Sequence, residues 1–203
     1  MRLDFSTLSQ RDAYAWMIGT ILPRPIAWVS TVSPEGRTNL APFSFFQGIT
    51  AKPPVVMFVP VNNREGQKKD TVRNIEQVPE FVVNIVPFEL AEKMNRSSAP
   101  LPYGESEFEK FGIAAAPSER VRPPRVADAP VAFECALHSI VNIGEGPGAA
   151  NVVFGRILLA HVKDGVLGPD GMPDPAKLDL IGRMGGEMYC RTTERFVVPR
   201  PVA

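Results

Sequence analysis

Two groups of polar side chains in the N-terminal half of the chain have the residue types of a ligand-binding site. The first group lies on a predicted hairpin and consists of Ser30, Thr31, Asn39 and Ser44. The second is the segment KKDT, residues 68–71, where free N–H groups at a predicted helix start, a lysine and a hydroxyl could hold a phosphate. Together the two groups describe one ligand with a flat, amide-edged end and a phosphorylated end.

Each group also has an explanation that needs no ligand. The hairpin residues can form a solvated sheet edge, and KKDT can be a plain capped helix with solvated lysines. Pro42 favours the ligand, because a proline has no N–H to donate and we expect strand pairing to stop or bulge there. The peptides from Asn39 to Ser44 would then be free to face the edge of a ligand.

The elements that must position these groups are a hairpin, a buried strand and a helix. Ile26 to Val32 is rich in β-forming residues, and the turn residues Ser33 to Gly36 follow it, which predicts the hairpin. The continuous apolar run Pro53 to Val61 predicts a strand that is buried on both faces. After KKDT, apolar residues at three-residue spacing predict a helix that Asp70 caps and Pro79 ends.

The remaining elements indicate a mainly β protein. Short helices are predicted at Arg11 to Met17 and in FELAEKMNRS, and strands in EFVVNIVP, VAFECALHSIVNI and VVFGRILLAHVKDGVL. The last two strands are joined by GEGPGAAN, which we interpret as a hairpin turn because Pro147 lacks the N–H that a phosphate loop needs. At least six strands with short helices between them predict a closed β-barrel with helical insertions.

Length and charge narrow the class of protein further. We expect residues 1–203 to form one domain, in which the proline-rich residues 97–129 are an excursion without a core of their own. Lys plus Arg and Asp plus Glu both number 22, so no net charge attracts nucleic acid or an anionic membrane surface. No signal peptide and no run of transmembrane length is recognisable, and we expect a cytoplasmic protein.

The sequence offers little for metal or hydrolytic chemistry. Cys135 and Cys190 are the only cysteines, and we expect both to be reduced. Cys135 and His138 stand three residues apart on a predicted strand and therefore point to opposite faces, which argues against a metal site that also includes His161. No GxSxG motif and no paired-carboxylate pattern occurs, so the sequence does not support hydrolytic chemistry. No metal ligand and no catalytic residue is assigned.

A flavin mononucleotide (FMN) has the shape of the ligand described above, and the order of several segments points the same way. PRPIAWVSTVSPEGRTNLAPFSFFQGITAKPPVVMFV, then KDTVRNI, EFVVNIV and IGRMGGEMY, resemble the flavin reductase-like family from about Pro23 to Arg200. The resemblance implies an FMN-binding split β-barrel, a closed antiparallel Greek-key barrel with short helical insertions. It also implies a homodimer with FMN near the subunit interface, where Trp28 and the Phe43 to Phe46 cluster would be interface or flavin-wall residues.

The resemblance also implies a set of cofactor-binding residues. Those that would line the isoalloxazine ring and ribityl chain are Ser30, Thr31, Asn39, Leu40, Ala41, Pro42, Phe43 and Ser44. Those that would hold the phosphate end are Lys69, Asp70 and Thr71, together with Arg64. Arg183 and Gly186 would close over the cofactor near Tyr189.

Three functions remain open from the sequence. The first is an NAD(P)H-dependent flavin oxidoreductase that passes hydride from NADH or NADPH to flavin and supplies reduced flavin to a partner oxygenase. The second is a flavoredoxin-type electron carrier that keeps its FMN and has no nicotinamide site. The third is a barrel that uses the same pocket for pyridoxal phosphate or another phosphorylated ring. His138 and His161 are candidates for neighbours of a bound ring, since strands carry both.

Overall fold

The centre of the molecule is a seven-stranded antiparallel sheet. The structure, a computed structural model, describes residues 1–201. The strands of the sheet are β1 (Ala27–Val32), β2 (Thr38–Phe43), β3 (Phe46–Ala51), β4 (Pro54–Phe58), β5 (Glu80–Ile85), β8 (Val131–Ile143) and β9 (Ala150–Val162). Their order in the sheet is β2-β1-β5-β8-β9-β4-β3. Two small two-stranded sheets pair β6 (Ala115–Ala116) with β7 (Arg125–Val126) and β10 (Ile181–Arg183) with β11 (Tyr189–Arg191). A mainly β, antiparallel protein is therefore confirmed.

The predicted first hairpin is confirmed, but the effect of Pro42 is not. β1 and β2 pair from Val32 opposite Thr38 to Ala27 opposite Phe43, and Pro42 lies within this ladder opposite Trp28. The prediction that pairing stops or bulges at Pro42 is therefore wrong. β2 is an outermost strand, and a proline is tolerated there because one side of an outer strand has no ladder to supply.

The two outermost strands of the sheet are consecutive in the chain. β2 ends at Phe43, the chain bends at Ser44 and Phe45, and β3 starts at Phe46. β3 then pairs with β4 at the opposite end of the strand order, so the chain crosses from one edge of the sheet to the other. Closure of this sheet into a Greek-key barrel stays a prediction.

Strand β1 is buried on both faces, so the core has two parts. Trp28 belongs to a cluster with Leu40 and Met94, whereas Val29 belongs to a cluster with Phe58 and Phe81 on the other face. Each of these six side chains is at most 1% exposed. The Trp28 indole donates to Ser97 Oγ at 2.9 Å, which satisfies its one polar atom inside the core.

The helices are short and lie outside the sheet. They are α1 (Gln10–Thr20), α2 (Asp70–Gln77), α3 (Ala91–Arg96), α4 (Glu107–Lys110) and α5 (Pro175–Leu178), with 3-10 turns at Phe5–Thr7, Phe88–Leu90 and Asp164–Val166. The predicted helix at Arg11 to Met17 is confirmed within the longer α1, which Ser9 caps by accepting the Asp12 N–H. The expectation that Asp70 caps α2 is wrong, because Asp70 is its first helical residue and Lys69 occupies the N-cap position.

Residues 97–129 pack onto the large sheet. Phe108, Ile113 and Val126 join the same buried cluster as Trp28, and Glu134 on β8 accepts the N–H groups of residues 119 and 120 at 2.9 and 2.6 Å. These contacts fix the excursion against β1, β2 and β8. Within residues 1–201, no helix combines the length and the apolar character that crossing a membrane requires.

Candidate functional site

A continuous groove runs along the outer strand β2 from the start of α2 to β10. It consists of three adjoining cavities of about 300, 200 and 200 Å³, which we call the α2, β2 and Arg183 cavities. Ser98 lines all three cavities. Ala41 and Lys69 line both the α2 and the β2 cavity, and Pro42 and Ser44 line both the β2 and the Arg183 cavity. The shared residues show that the three cavities are parts of one groove.

A buried polar network forms the floor of the α2 cavity. Asn39 Nδ2 donates to Thr31 Oγ1 at 3.2 Å and to Thr71 Oγ1 at 3.1 Å, and Asn74 Nδ2 donates to Thr31 Oγ1 at 3.0 Å. All four side chains are at most 8% exposed. Because Thr71 Oγ1 accepts from Asn39, its own proton is directed elsewhere and can be donated to a ligand in the cavity.

The start of α2 adds backbone donors to the same cavity. In the first turn of α2, the N–H groups of Val72 and Arg73 both donate to the Lys69 carbonyl, at 2.9 and 3.1 Å. The N–H groups of Asp70 and Thr71 come earlier in the helix than these two bonds and lie at the positive end of the helix dipole. Lys69 is exposed where the α2 and β2 cavities meet. This set of donors can bind an anion such as a phosphate group.

Two acids line the α2 cavity beside these donors. Burial raises the pKa of Asp70, although Arg73 and Lys69 act in the opposite direction. Burial also raises the pKa of Glu107, and the nearby Asp70 carboxylate raises it further, while the Leu40 N–H, which Glu107 Oε2 accepts at 2.7 Å, lowers it. Both acids therefore hold their protons more tightly than exposed carboxyl groups would.

One wall of the α2 cavity comes from the proline-rich excursion. Ser97 to Leu101 and Tyr103 line the cavity opposite β2. The Arg73 guanidinium lies 3.7 Å from the centre of the Tyr103 ring, and the Tyr103 hydroxyl donates to Asn74 Oδ1 at 3.4 Å. Sequence reasoning missed Arg73, Tyr103 and Glu107, and the sequence carries no local signal for them because tertiary contacts bring them here.

The β2 cavity is mainly apolar. Its walls are Tyr14, Ala41, Pro42, Phe43, Phe45, Val59 and Val61, with Ser44, Lys69 and Ser98 as polar members. The rings of Tyr14 and Phe45 meet edge to face, 6.5 Å apart between centroids. Walls of this kind suit a flat ring system whose faces are apolar.

A buried arginine braces the end of the β2 cavity. Arg24 is 4% exposed, and its Nε donates to Ser44 Oγ at 3.3 Å. Its Nη1 donates to the Ile18 and Ile21 carbonyls at 2.6 and 3.0 Å, and its Nη2 to the Met184 carbonyl at 2.9 Å. Burial lowers the pKa of Arg24. The side chain thus ties the end of α1, the end of β2 and the segment after β10 to one another.

The Arg183 cavity closes the other end of the groove. Arg183 lines it together with Asn95 and Tyr189. The Arg183 guanidinium lies 4.5 Å from the centre of the Tyr189 ring, and its Nη2 donates to the Gly186 carbonyl at 2.6 Å. The Tyr189 hydroxyl donates to Asn95 Oδ1 at 3.0 Å. Gly186 itself is exposed, and its contribution is to position Arg183.

Most of the residues proposed from the sequence line this groove. They are Asn39, Ala41, Pro42, Phe43, Ser44, Lys69, Asp70, Thr71 and Arg183. Thr31 lies behind Asn39 and holds it by the hydrogen bond described above.

Besides Gly186, three other proposed residues lie outside the groove. The Ser30 hydroxyl donates to the Pro124 carbonyl on the opposite face of β1, and the Leu40 side chain is buried in the core. Arg64 is exposed on the loop before α2. Within residues 1–201, the side chains that line the groove do not include Arg64.

The two histidines and the buried cysteine are also remote from the groove. His138 is exposed on β8. His161 Nε2 lies 2.6 Å from Glu134 Oε1, and His161 lines a different cavity together with Lys163. Burial raises the pKa of the Cys135 thiol to about 12, so this thiol is unreactive. Among residues 1–201, no group of three or more His, Cys, Asp or Glu side chains is arranged to hold a metal ion.

Comparison with known protein families identifies the chain. The flavin reductase-like domain matches residues 18–176, which is most of the sequence. The chain belongs to the flavin reductase-like family. An uncharacterized member from Halalkalibacterium halodurans is 38% identical over 203 residues, which cover 99% of this chain and 97% of the relative.

Solved structures show the same fold. Nitrilotriacetate monooxygenase component B from Bacillus cereus is 32% identical, with a TM-score of 0.92 over 98% of both chains. More distant similarities concern the fold alone. A protein with a split barrel domain from Shewanella frigidimarina is 21% identical, with a TM-score of 0.84 over 99% of this chain and all of that one. The flavoredoxin of Desulfovibrio vulgaris is also 21% identical, with a TM-score of 0.74 over 98% and 97% of the two chains.

Proposed function

We propose that the groove along β2 binds FMN, with the phosphate in the α2 cavity and the ring system in the β2 cavity. The observation that carries this proposal is the continuity of the groove in a chain of the flavin reductase-like family. One end offers N–H groups, a hydroxyl and a lysine, and the middle offers apolar walls. These donors and walls match the two chemically different ends of FMN.

In this proposal the residues of the chain bind and orient the cofactor. Lys69 and Thr71 line the α2 cavity, and Lys69, the Thr71 hydroxyl and the first N–H groups of α2 would hold the phosphate oxygens. Pro42 and Phe43 form an apolar wall that excludes water, and Arg24 fixes Ser44 at the end of that wall. Bound FMN supplies the capacity to accept and pass on a hydride. No side chain has to act as an acid or base for hydride transfer, so we assign no catalytic residue.

We propose that the chain is an NAD(P)H-dependent flavin oxidoreductase and supplies reduced flavin to a partner oxygenase. The support is the similarity to a protein described as component B of a monooxygenase, at 32% identity along nearly the whole chain. We place the protein in the cytoplasm and treat residues 1–203 as one domain.

We further propose that the protein is a homodimer. Along α1 and just after it, Tyr14, Met17 and Ile21 are 53%, 41% and 54% exposed, and the described residues of α1 include none that is buried. A group of exposed apolar side chains of this kind is typical of a surface that another subunit covers. A second copy seated on α1 would also enclose the groove near Tyr14, which lines the β2 cavity.

Anaerobic mixing tests the proposed activity. The purified protein with bound FMN is mixed with NADH or NADPH under nitrogen, and the absorbance of oxidised flavin near about 450 nm is followed. We expect at least one nicotinamide to bleach this band in a reaction that depends on the protein. If FMN is bound but neither nicotinamide reduces it, the oxidoreductase proposal is refuted, and the flavoredoxin-type carrier becomes the better account.

A further inference from the structure

The α2 cavity contains carboxyl groups where the proposed function places a phosphate. Glu107 is only 6% exposed, and Asp70, at the first position of α2, lines the same cavity. Two carboxylates in a partly enclosed cavity repel an incoming anion, because the repulsion is poorly screened away from bulk water. Affinity for a phosphate anion therefore does not by itself account for the two acids.

The positively charged side chains that line this cavity only slightly outnumber the two acids. The other charged or titratable residues that line it are Lys68, Lys69, Arg73 and Tyr103. Lys68 already pairs with Glu76, and Arg73 Nη1 lies 3.4 Å from Asp70 Oδ1. A phosphate dianion would therefore bring two further negative charges into a cavity where two of the three cations already face carboxylates.

Protonation of one acid relieves this excess. Glu107 is the better candidate, because it is buried and pairs with no cation among the described residues, whereas Asp70 Oδ1 lies 3.4 Å from Arg73 Nη1. Burial raises the pKa of Glu107 against the opposing Leu40 N–H, and the Asp70 carboxylate adds to the increase. Burial also raises the pKa of Asp70, but Arg73 and Lys69 act to lower it. A third anion beside Glu107 raises its pKa further. A protonated Glu107 carboxyl can donate its O–H to a phosphate oxygen, and its other oxygen can still accept the Leu40 N–H.

We propose that the α2 cavity binds a phosphate monoester together with one proton, which Glu107 takes up from solvent. This inference rests on the proposed function, since it concerns the phosphate of the same cofactor. No covalent bond changes, and the proton becomes the donor in a Glu107 to phosphate hydrogen bond. By linkage, the phosphate contribution to affinity is present at low pH and is lost as pH rises through the bound-state pKa of Glu107.

A site made only of cations and N–H groups predicts the opposite pH dependence. The second pKa of a phosphate monoester is about 6, so the dianion prevails above that pH. A purely cationic site binds the dianion better than the monoanion, and its preference for FMN over riboflavin rises with pH. Proton uptake by Glu107 makes the same preference fall.

The experiment measures dissociation constants of FMN and riboflavin for the protein of residues 1–203 between about pH 5.5 and 8, by quenching of flavin fluorescence. We expect the preference for FMN to fall by about threefold or more over this range. In Glu107→Gln, which keeps an acceptor for the Leu40 N–H but cannot gain a proton, the preference should rise with pH. Glu109→Gln, an exposed position on the same helix, is the matched control and should keep the wild-type profile.

Calorimetry of FMN binding to the wild-type protein provides a second measurement, independent of any variant. Binding enthalpies in buffers of different ionisation enthalpy should show net proton uptake near neutral pH. A wild-type preference that rises with pH, or the absence of proton uptake, would overturn the inference. If the pH dependence of the preference for FMN reversed in Asp70→Asn and not in Glu107→Gln, the assignment to Glu107 would be overturned. A failure to bind FMN at every pH would instead refute the proposed function itself.

Discussion

Asn39 Nδ2 donates to Thr71 Oγ1 across 3.1 Å and so joins the outer strand β2 to the first turn of α2. The same amide also donates to Thr31 Oγ1 on β1, which accepts from Asn74 as well. The hairpin group and the KKDT group, which the sequence presents as two separate sets of polar residues, are therefore one buried network. This network fixes the position of the helix start relative to the groove along β2.

We predict that Asn39→Ala destabilises the protein. The change removes two hydrogen bonds and leaves the buried Thr71 without its donor, which should lower the free energy of unfolding by about 1–3 kcal/mol. Urea denaturation measures the change. Asn142→Ala, at an exposed position on β8, is the control and should stay within about 0.5 kcal/mol of wild type. Equal effects of the two variants would contradict the role given to the network.

Arg24→Gln should release α1 from the body of the protein. The Arg24 guanidinium donates to the carbonyls of Ile18, Ile21 and Met184, and a glutamine cannot reach all three. Loss of hydrogen bonds from a charged group should cost about 1.5–3 kcal/mol or more. Limited proteolysis should then cut within residues 1–22 faster than in wild type. Arg11→Gln, an exposed arginine on α1, serves as the control, and equal cleavage of both variants would argue against the brace.

Glu134 should make stability depend on acid pH. Burial alone would raise its pKa, but the N–H groups of Glu119 and Arg120 and the ring of His161 together hold the pKa of Glu134 below its ordinary value of 4.5. A carboxyl with a lowered pKa stabilises the fold above its unfolded-state pKa, and this stability is lost as pH falls through the folded-state pKa. The stabilising contribution of Glu134 should therefore decrease progressively as pH falls below its ordinary pKa value of 4.5.

The comparison of Glu134→Gln with wild type isolates this effect from other acids. At neutral pH the variant should be less stable by about 1–3 kcal/mol, because its amide group cannot accept from every donor around it. The difference in unfolding free energy should narrow as pH falls. Glu145→Gln, in the exposed β8–β9 turn, should show little difference at any pH. A gap that stays constant down to about pH 3 would contradict the assignment.

The proposed dimer makes a separate prediction. Met17→Glu combined with Ile21→Glu places one charge on α1 and one just after it, both at exposed apolar positions, and burying them against a second subunit is costly. Light scattering should give a dimer mass for wild type and a monomer mass for this double variant. Met172→Glu, at an exposed methionine remote in sequence, should remain dimeric. A monomer mass for the wild-type protein with FMN bound would defeat the prediction.

The strands and most helices could be predicted because their signals are local. The β-forming residues from Ile26 to Val32 and the turn residues 33–36 suffice for the first hairpin, and the proline that follows α2 marks where that helix ends. The effect of Pro42 could not be predicted, since it depends on the position of β2 at the edge of the sheet, and strand order is a tertiary property. Capping by Asp70 was wrong by one residue for a similar reason, because cap geometry depends on how the chain enters the helix.

The residues of the candidate site also differ in whether a local sequence pattern or only tertiary contacts could have identified them. Strand parity, which separates Cys135 from His138, also places Ser30 and Thr31 on opposite faces of β1 and could have excluded Ser30 from the groove. Glu107 could not be found in this way. Glu107 is buried where it accepts the Leu40 N–H, and Leu40 lies on a strand that is far from Glu107 in the sequence.

The most direct test of the phosphate position is the double variant Lys69→Ala, Thr71→Ala. Both side chains line the α2 cavity, while the ring system of FMN is assigned to the β2 cavity. Loss of these phosphate contacts should weaken FMN binding at least about tenfold, or about 1.4 kcal/mol, and leave riboflavin binding nearly unchanged. Lys110→Ala, a surface lysine paired with Glu105, is the control for a lost positive charge.

The deciding measurement is therefore the ratio of the dissociation constants of riboflavin and FMN, determined at one pH and one ionic strength for wild type and for the double variant. We predict that wild type binds FMN at least about tenfold more tightly than riboflavin and that the double variant loses most of this preference. Raised salt should reduce the wild-type preference in the same direction, because it screens the charged contacts. Equal dissociation constants for FMN and riboflavin in the wild-type protein would contradict the assignment of the phosphate to the start of α2.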